Sequence, residues 1–252
     1  MSILQDFALS GWGWGVVLMA AFLIGFSKTA ISGVMLLAIP ILAGIFGGKV
    51  STGMMLPMLI IGDIFAVNYY HTHADWEKIR KLIPFTALGV ILGAVVGHLI
   101  NDAQFSVLIA ITVLVCLGLL ILFEKKGDTL HIPNHIGVSL AAGIACGFTS
   151  MIGNASAPIL SIYLLAMGYK KNDFMGTSAW FFLLLNAFKI PFQVFVWHNI
   201  TLQTLEFSLI LAIPIAIGAF TGVVVLKRIN EDAFRKIVMV MTALAAIKLI
   251  FF

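Results

Sequence analysis

The chain has 252 residues, of which 61% are hydrophobic and only 10% are charged, and its mean hydropathy is +1.09. These values exclude an ordinary soluble protein and indicate an integral membrane protein. The net charge of +4 does not indicate nucleic-acid binding, because the basic residues are scattered through short loops, as membrane topology requires.

Apolar segments follow one another along the chain in two groups of five, and the longest polar connection joins the two groups. The segments lie at about 11–26, 31–48, 51–70, 82–100, 103–123, 136–148, 155–169, 174–197, 206–226 and 236–252. Helices satisfy their own backbone in lipid, so we expect an all-α integral membrane protein with 8–10 membrane segments. The short connections predict one transporter domain over residues 1–252.

The two groups are weak copies of each other. The run from Gly15 to Phe26 recurs from Gly137 to Phe148 at a constant offset of 122 residues. The first repeat covers about 7–123 and the second about 136–252. In so apolar a chain, a repeat of this length indicates a transporter or channel whose site lies where the copies meet, near the bilayer midplane.

Loop charge predicts that the two copies have opposite orientations. The loop at 75–81 is basic, whereas the matching loop at 198–205 has neither Lys nor Arg, and the reverse holds one loop later. The positive-inside rule places both termini outside the cell. Lys49 is the one clear exception, because this topology places it on the outer side. The predicted cytoplasmic loops are 75–81, 124–135, 169–173 and 227–236. A tandem repeat in parallel orientation is the alternative.

The first two segments of each copy are predicted to be unusual, because they are shorter than the about 20 residues of a straight span. They are either re-entrant half-helices or short tilted spans, with polar, Gly-containing breaks at 27–33 and 149–158. Such backbone is tolerated at membrane depth only where protein buries it or where it lines a wet cavity. Hairpins that enter from opposite sides would meet near the middle.

Each hairpin tip would offer a helix N-terminus, which attracts anions. Lys28 strengthens this prediction, since an ionised Lys in the hydrocarbon region costs about 2.5 kcal/mol or more and usually faces a pathway or a partner. Nearby hydroxyl and amide groups are further donors to oxyanion oxygens. The predicted substrate-binding residues are Lys28, Thr29, Ser32, Thr149, Ser150, Asn154 and Ser156. The alternative is that Lys28 reaches the interface and the small residues serve helix packing.

Asp63 and Lys189 lie at similar depth in the third segments of the two copies, with Asn186 nearby. Either Asp63 balances Lys28 or Lys189 in a structural ion pair, or one of these groups binds substrate or couples transport to protons. The sequence contains no zinc spacing, phosphate-binding glycine loop or catalytic triad pattern. We therefore expect no metal, no cofactor and no enzymatic activity, and no nucleic-acid partner.

Motifs along both copies carry a family resemblance. They are Gly25-Phe26-Ser27-Lys28-Thr29-Ala30-Ile31-Ser32-Gly33, Gly62-Asp63, Tyr69-Tyr70, Asp75-Trp76, Leu82-Ile83-Pro84, Gly153-Asn154 with Pro158, Gly176-Thr177, and Asn186 with Lys189. In order and spacing they resemble the TauE/SafE sulfite exporter family, over nearly the whole chain.

The resemblance implies a bacterial or archaeal transporter of the cytoplasmic membrane for a small sulfur-containing oxyanion: sulfite, thiosulfate or an organosulfonate such as sulfoacetate. It implies export more often than uptake. The expected partners are a small anionic substrate and the lipid bilayer, while proton or ion coupling and a homodimer stay open. A passive channel for anions or small solutes, built from paired half-helices, is the alternative. An intramembrane enzyme ranks third.

Overall fold

A computed structural model of the protein describes residues 9–30, 32–126, 135–169 and 171–225. Within these ranges every regular element is helical. The α-helices are α1 (Gly11–Thr29), α2 (Met35–Phe46), α3 (Gly48–Tyr70), α4 (Trp76–Leu99), α5 (Asp102–Lys126), α6 (Ile136–Gly153), α7 (Ala157–Ala166), α8 (Lys171–Pro191), α9 (Leu202–Ile210) and α10 (Ala212–Val225). Short 3₁₀ turns cover Ser32–Val34 and His71–His73, and a π turn covers Phe192–Val196.

The predicted all-helical, multi-pass membrane architecture is confirmed. Six helices of the described part are long and apolar enough to cross a bilayer, and a seventh span is complete if α9 and α10, which meet at a 48° bend, count as one. Helices α2 and α7 are shorter apolar helices. The last predicted segment, at about 236–252, and the predicted basic loop at 227–236 lie outside the described residues.

Helices α1 and α6 are longer than the sequence predicts. The predicted breaks begin at residues 27 and 149, whereas α1 continues through Lys28 to Thr29 and α6 continues to Gly153. The hydroxyls do not interrupt these helices, because Ser27 Oγ donates to Ile24 O at 2.7 Å and Thr149 Oγ1 donates to Ala145 O at 2.7 Å. Lys28 therefore lies in the C-terminal turn of α1, and not at a helix N-terminus.

Glycines let two pairs of helices pack with their backbones in contact. A Cβ on Gly25 of α1 would lie 1.9 Å from Ile215 O of α10, and one on Gly218 of α10 would lie 2.1 Å from Phe22 O of α1. Helices α4 and α6 repeat this arrangement: a Cβ on Gly147 would meet the backbone of α4, and one on Gly89 that of α6. The first predicted segment of each copy thus packs on the fourth predicted segment of the other copy.

The third helices of the two copies, α3 and α8, lie side by side and run antiparallel. Gly53 near the start of α3 approaches the backbone of Asn199, just beyond α8. Gly176 near the start of α8 approaches the backbone of His73, just beyond α3. This packing brings Asp63 of α3 to Asn186 of α8, which in turn contacts Lys189 in the last turn of α8.

The exception to the charge rule, Lys49, has local structural partners. Its Nζ donates to Ile100 O at 3.0 Å, and its backbone N–H donates to Asp102 Oδ1 at 2.9 Å. Ile100 follows the last residue of α4, so this cation compensates the negative end of that helix. These bonds give Lys49 a role at the α4–α5 turn that is separate from loop charge.

Asp75 ties the loop after α3 to the second copy. It caps α4 by accepting a hydrogen bond from the Lys78 N–H at 3.1 Å, and its own N–H donates to Thr177 Oγ1 at 3.0 Å. The Tyr169 hydroxyl also donates to Asp75 Oδ2. Partial burial raises the pKa of Asp75, but these hydrogen bonds outweigh it and hold the pKa below its ordinary value. The charged form is therefore the one that joins the copies at this end.

The close packing of α1 on α10 predicts that Gly25→Ala destabilises the protein by about 1–3 kcal/mol, because the added methyl group must push two helix backbones apart. Gly15→Ala is the matched control, since it lies in the same helix and a Cβ there meets nothing within 4 Å. Thermal unfolding in detergent would show a lower midpoint for Gly25→Ala only. Equal midpoints for the two variants would contradict the packing.

Candidate functional site

Lys28 forms a buried ion pair with Asp63. Its Nζ lies 2.7 Å from Asp63 Oδ1, and the exposed fractions of the two side chains are 10% and 0%. Gly62 leaves room for the lysine, because a Cβ there would lie 3.1 Å from Lys28 Cγ. The Lys28 Nζ also lies over the ring of Phe182, 4.6 Å from its centroid, a distance at which the ring face attracts a cation.

The ion pair continues through Asn186 to Lys189. Asn186 Nδ2 donates to Asp63 Oδ2 at 2.6 Å, and Asn186 Oδ1 accepts from Lys189 Nζ at 3.1 Å. Asp63 and Lys189 are therefore joined through an amide, and the direct partner of Asp63 is Lys28. Of the two pairings that the sequence left open for Asp63, the structure contains the one with Lys28.

Lys189 belongs to α8 and is fully buried. Its side chain reaches the C-terminal end of α6. Its Nζ donates to Asn154 Oδ1 at 2.5 Å, to Ser150 O at 3.1 Å and to Ser150 Oγ at 3.1 Å. Asn154 adopts a left-handed conformation with φ 56°, which ends α6 and turns its side chain to the lysine. A cation beside the last carbonyls of a helix is stabilised by the helix dipole.

A small cavity lies beside the ion pair. Its volume of about 30 Å³ holds roughly two water molecules. Among the described residues Lys28 is the one cation that lines it, together with the carboxylate of Asp63. The rest of the wall is largely apolar: Met35, Ala157, Met175, Ala179 and Phe182, with the hydroxyls of Ser27 and Ser178.

Both short helices begin at this cavity. Met35 is the first residue of α2 and Ala157 the first of α7. Neither helix has a side-chain hydrogen bond at its N-cap, which is Val34 in α2 and Ser156 in α7. The predicted association of an anion with helix N-termini therefore has its geometric counterpart in α2 and α7, while Lys28 comes from the C-terminal turn of α1.

The structure places the predicted site residues in different surroundings. Lys28 lines the cavity, whereas Ser150 and Asn154 bind Lys189. Thr29 Oγ1 donates to Ala219 O at 2.7 Å, so its hydroxyl serves the packing of α1 on α10.

The three remaining predicted residues each lie in a helix or turn of their own. The Thr149 hydroxyl donates back to Ala145 O within α6. Ser156 is buried at the start of α7. Ser32 opens a 3₁₀ turn, and its side chain lies outside the described part.

Ser178 and Phe182 line the cavity but are not among the sequence-predicted residues. A periodic signal was available, because Met175, Ser178, Phe182, Asn186 and Lys189 follow one another at spacings of three, four, four and three residues. Such spacing puts all five on one face of a helix. Ser178, Asn186 and Lys189 are the polar members of this stripe, and in an apolar segment they mark the face of α8 that contacts α3 and the ion pair.

No group of three or more His, Cys, Asp or Glu residues that could hold a metal ion occurs in the described ranges. Fold and site together define a multi-pass membrane protein with a buried, charged cavity at the starts of two short helices, an arrangement typical of membrane transporters. The family model of the sulfite exporter TauE/SafE matches residues 17–249. The chain therefore belongs to the TauE/SafE family of membrane transporters. Comparisons with curated proteins and with solved structures give no match.

The ion pair predicts energetic coupling between Lys28 and Asp63. Lys28→Met and Asp63→Asn each remove one partner, so the double variant should be about 1–3 kcal/mol more stable than the sum of the single losses indicates. The matched comparison is Asp63→Asn with Lys189→Met, where Asn186 intervenes and the coupling should be smaller. Thermal unfolding of all variants in detergent measures both cycles. Additive losses for Lys28 and Asp63 would contradict a mutual pair.

Proposed function

We propose that this protein moves a small sulfur-containing oxyanion across the cytoplasmic membrane of a bacterium or archaeon, in the direction of export, and that the anion binds in the cavity beside Lys28. The observation that carries the proposal is Lys28 itself, a cation that is 10% exposed and lines a cavity between buried helices. The substrate class is that of the family, with sulfite, thiosulfate and organosulfonates such as sulfoacetate as the candidates.

Electrostatics supports an anion in this position. An oxyanion that enters the membrane loses its hydration, and positive charge and N–H donors must replace the lost water. Lys28 supplies the charge, and the N-termini of α2 and α7 add donors and the positive ends of their dipoles. Ser156 at the start of α7, and Ser32 before α2, are further binding residues in this proposal. Thr29 and Thr149 have a smaller part, because their hydroxyls are bonded to helix carbonyls.

Transport by alternating access requires that the cavity widen, since about 30 Å³ holds water but not a hydrated oxyanion. Met35 and Met175 line the cavity, and methionine side chains rearrange readily because they are unbranched. In this proposal the two methionines move aside as the substrate enters. Asp63 then shares Lys28 with the substrate and is the candidate for proton coupling.

The inverted orientation of the two copies is part of the proposal. The antiparallel packing of α3 on α8, which are corresponding helices, supports it, because a tandem repeat in parallel orientation would make these helices parallel. The two copies form a single domain, with both termini on the outer side.

A transport assay tests the proposal. In proteoliposomes the parent protein should accumulate sulfite, thiosulfate or sulfoacetate when an ion gradient is imposed. Lys28→Gln removes the charge but keeps a donor for Asp63, and it should slow transport about tenfold or more. Lys49→Gln is the matched control, because Lys49 is bonded to the α4–α5 turn, and it should transport at nearly the parental rate.

Two outcomes would contradict the proposal. Flux that only dissipates a substrate gradient, with no accumulation, would indicate the passive channel. Equal rates for Lys28→Gln and the parent would exclude the cavity as the binding site. The double variant Lys28→Met/Asp63→Asn, which leaves no unpaired charge in the ion pair, gives a second test if Lys28→Gln does not fold.

A further inference from the structure

Ser178 has an unusual position among the buried serines. It lies on α8 and lines the cavity beside Lys28, and its exposed fraction is 7%. Its Oγ is buried and has no hydrogen-bond partner among the described residues. A buried hydroxyl without a partner loses the hydrogen bonds that water would make, and such groups are rare unless something outside the chain satisfies them.

Other buried serines show how a helix normally satisfies this group. Ser51 Oγ donates to Gly48 O at 2.7 Å and Ser208 Oγ donates to Thr204 O at 2.8 Å, each within its own helix. Ser178 lies in the middle of α8 and makes no such bond. Its hydroxyl is therefore left available for a ligand in the cavity.

Charge in the buried network does not balance. Within the part of the chain that the structure describes, the network contains the cations Lys28 and Lys189 and one carboxylate, Asp63. Three of the oxygens around Lys189 Nζ, Ser150 O, Asn154 Oδ1 and Asn186 Oδ1, can only accept, so the ammonium form with its three protons is the one that satisfies them all, while the Ser150 hydroxyl can accept or donate. The orientation of the Asn186 amide is determined by Asp63, to which its Nδ2 donates. With Lys189 in this form, the described part of the network carries one positive charge that no carboxylate balances, in a region of low dielectric.

We propose that Ser178 is a binding residue of this cavity and that, with Lys28, it holds a singly charged oxyanion that carries a small apolar group. The proposal rests on the proposed function and narrows its substrate class. A monoanion brings the network to zero charge, whereas a dianion leaves a net negative charge buried, which is unfavourable. Phe182, Met175 and Ala157 form a wall without hydrogen-bonding side chains, and an apolar substituent fits such a wall better than a further oxygen.

The test uses three tetrahedral sulfur compounds of similar size that differ in charge. Methanesulfonate carries one negative charge, sulfate carries two, and dimethyl sulfone carries none. Calorimetry on the purified parent protein in detergent should show binding of methanesulfonate, with sulfate and dimethyl sulfone each about tenfold weaker or more. Equal affinity for methanesulfonate and sulfate would overturn the charge selection.

Ser178→Ala tests the hydroxyl. It should weaken methanesulfonate binding about tenfold, as expected for one hydrogen bond to a charged group. Ser208→Ala is the matched control, since it removes a buried hydroxyl that is bonded within its helix, and its affinity should equal that of the parent. Unchanged affinity in Ser178→Ala would mean that the hydroxyl is satisfied by water and would overturn its role.

Lys28→Gln separates this proposal from the proposed function. If Lys28→Gln abolishes binding while Ser178→Ala does not weaken it, the Lys28 cavity stands and the role of Ser178 is wrong. If Lys28→Gln binds methanesulfonate as tightly as the parent, the cavity is not the anion site and both proposals fail. A parent protein that binds sulfate but not methanesulfonate would leave the transporter proposal intact and contradict the monoanion.

Discussion

The buried ion pair between Lys28 and Asp63 is the interaction on which the account of this protein depends. A charge inside the membrane is unfavourable unless a partner and hydrogen bonds replace its hydration. Here the partner comes from a neighbouring helix, and the amide of Asn186 extends the pair to Lys189 on the second copy. Four polar side chains from both copies thus form one chain of hydrogen bonds across the interface of α3 and α8. The cavity lies beside these hydrogen-bonded side chains, so the charge of the network determines the electrostatic potential in the cavity.

The packing of the helices is what brings these groups together. Glycines let α1 approach α10 and α4 approach α6 with backbone in contact, which is how helices associate in lipid without a hydrophobic driving force. In this arrangement the C-terminal turn of α1, which contains Lys28, lies against α3 at Asp63. The short helices α2 and α7 start at the same level, so the positive ends of their dipoles also face the cavity.

Hydropathy predicts the helices well, because burial in lipid demands long apolar runs. Each of the nine predicted segments in the described part corresponds to a helix or to the bent pair α9–α10. Helix ends at polar residues are predicted poorly. Ser27 and Thr149 lie in the predicted breaks, but a hydroxyl that donates to a carbonyl three or four residues earlier leaves the helix intact.

The site was predicted in part. Lys28, Asp63 and Lys189 stand out because charge is rare in apolar segments. The partner of each charge depends on which helices pack together, and sequence spacing within a helix contains no such information. The sequence for this reason predicts Ser150 and Asn154 in one site with Lys28, whereas in the structure they bind Lys189. Ser178 was missed because a single serine in an apolar helix is ordinary, and only its place on the face shared with Asn186 and Lys189 distinguishes it.

The most direct test of the central claim is to locate the bound anion. Selenite is the selenium analogue of sulfite and is largely singly protonated near neutral pH. A crystal structure of the protein, produced with ordinary methionine and measured at the selenium absorption edge, should show one anomalous peak within about 4 Å of Lys28 Nζ, the distance of a direct ion contact. A peak beside Lys49 or the basic loop at 75–81, with none at Lys28, would contradict the account.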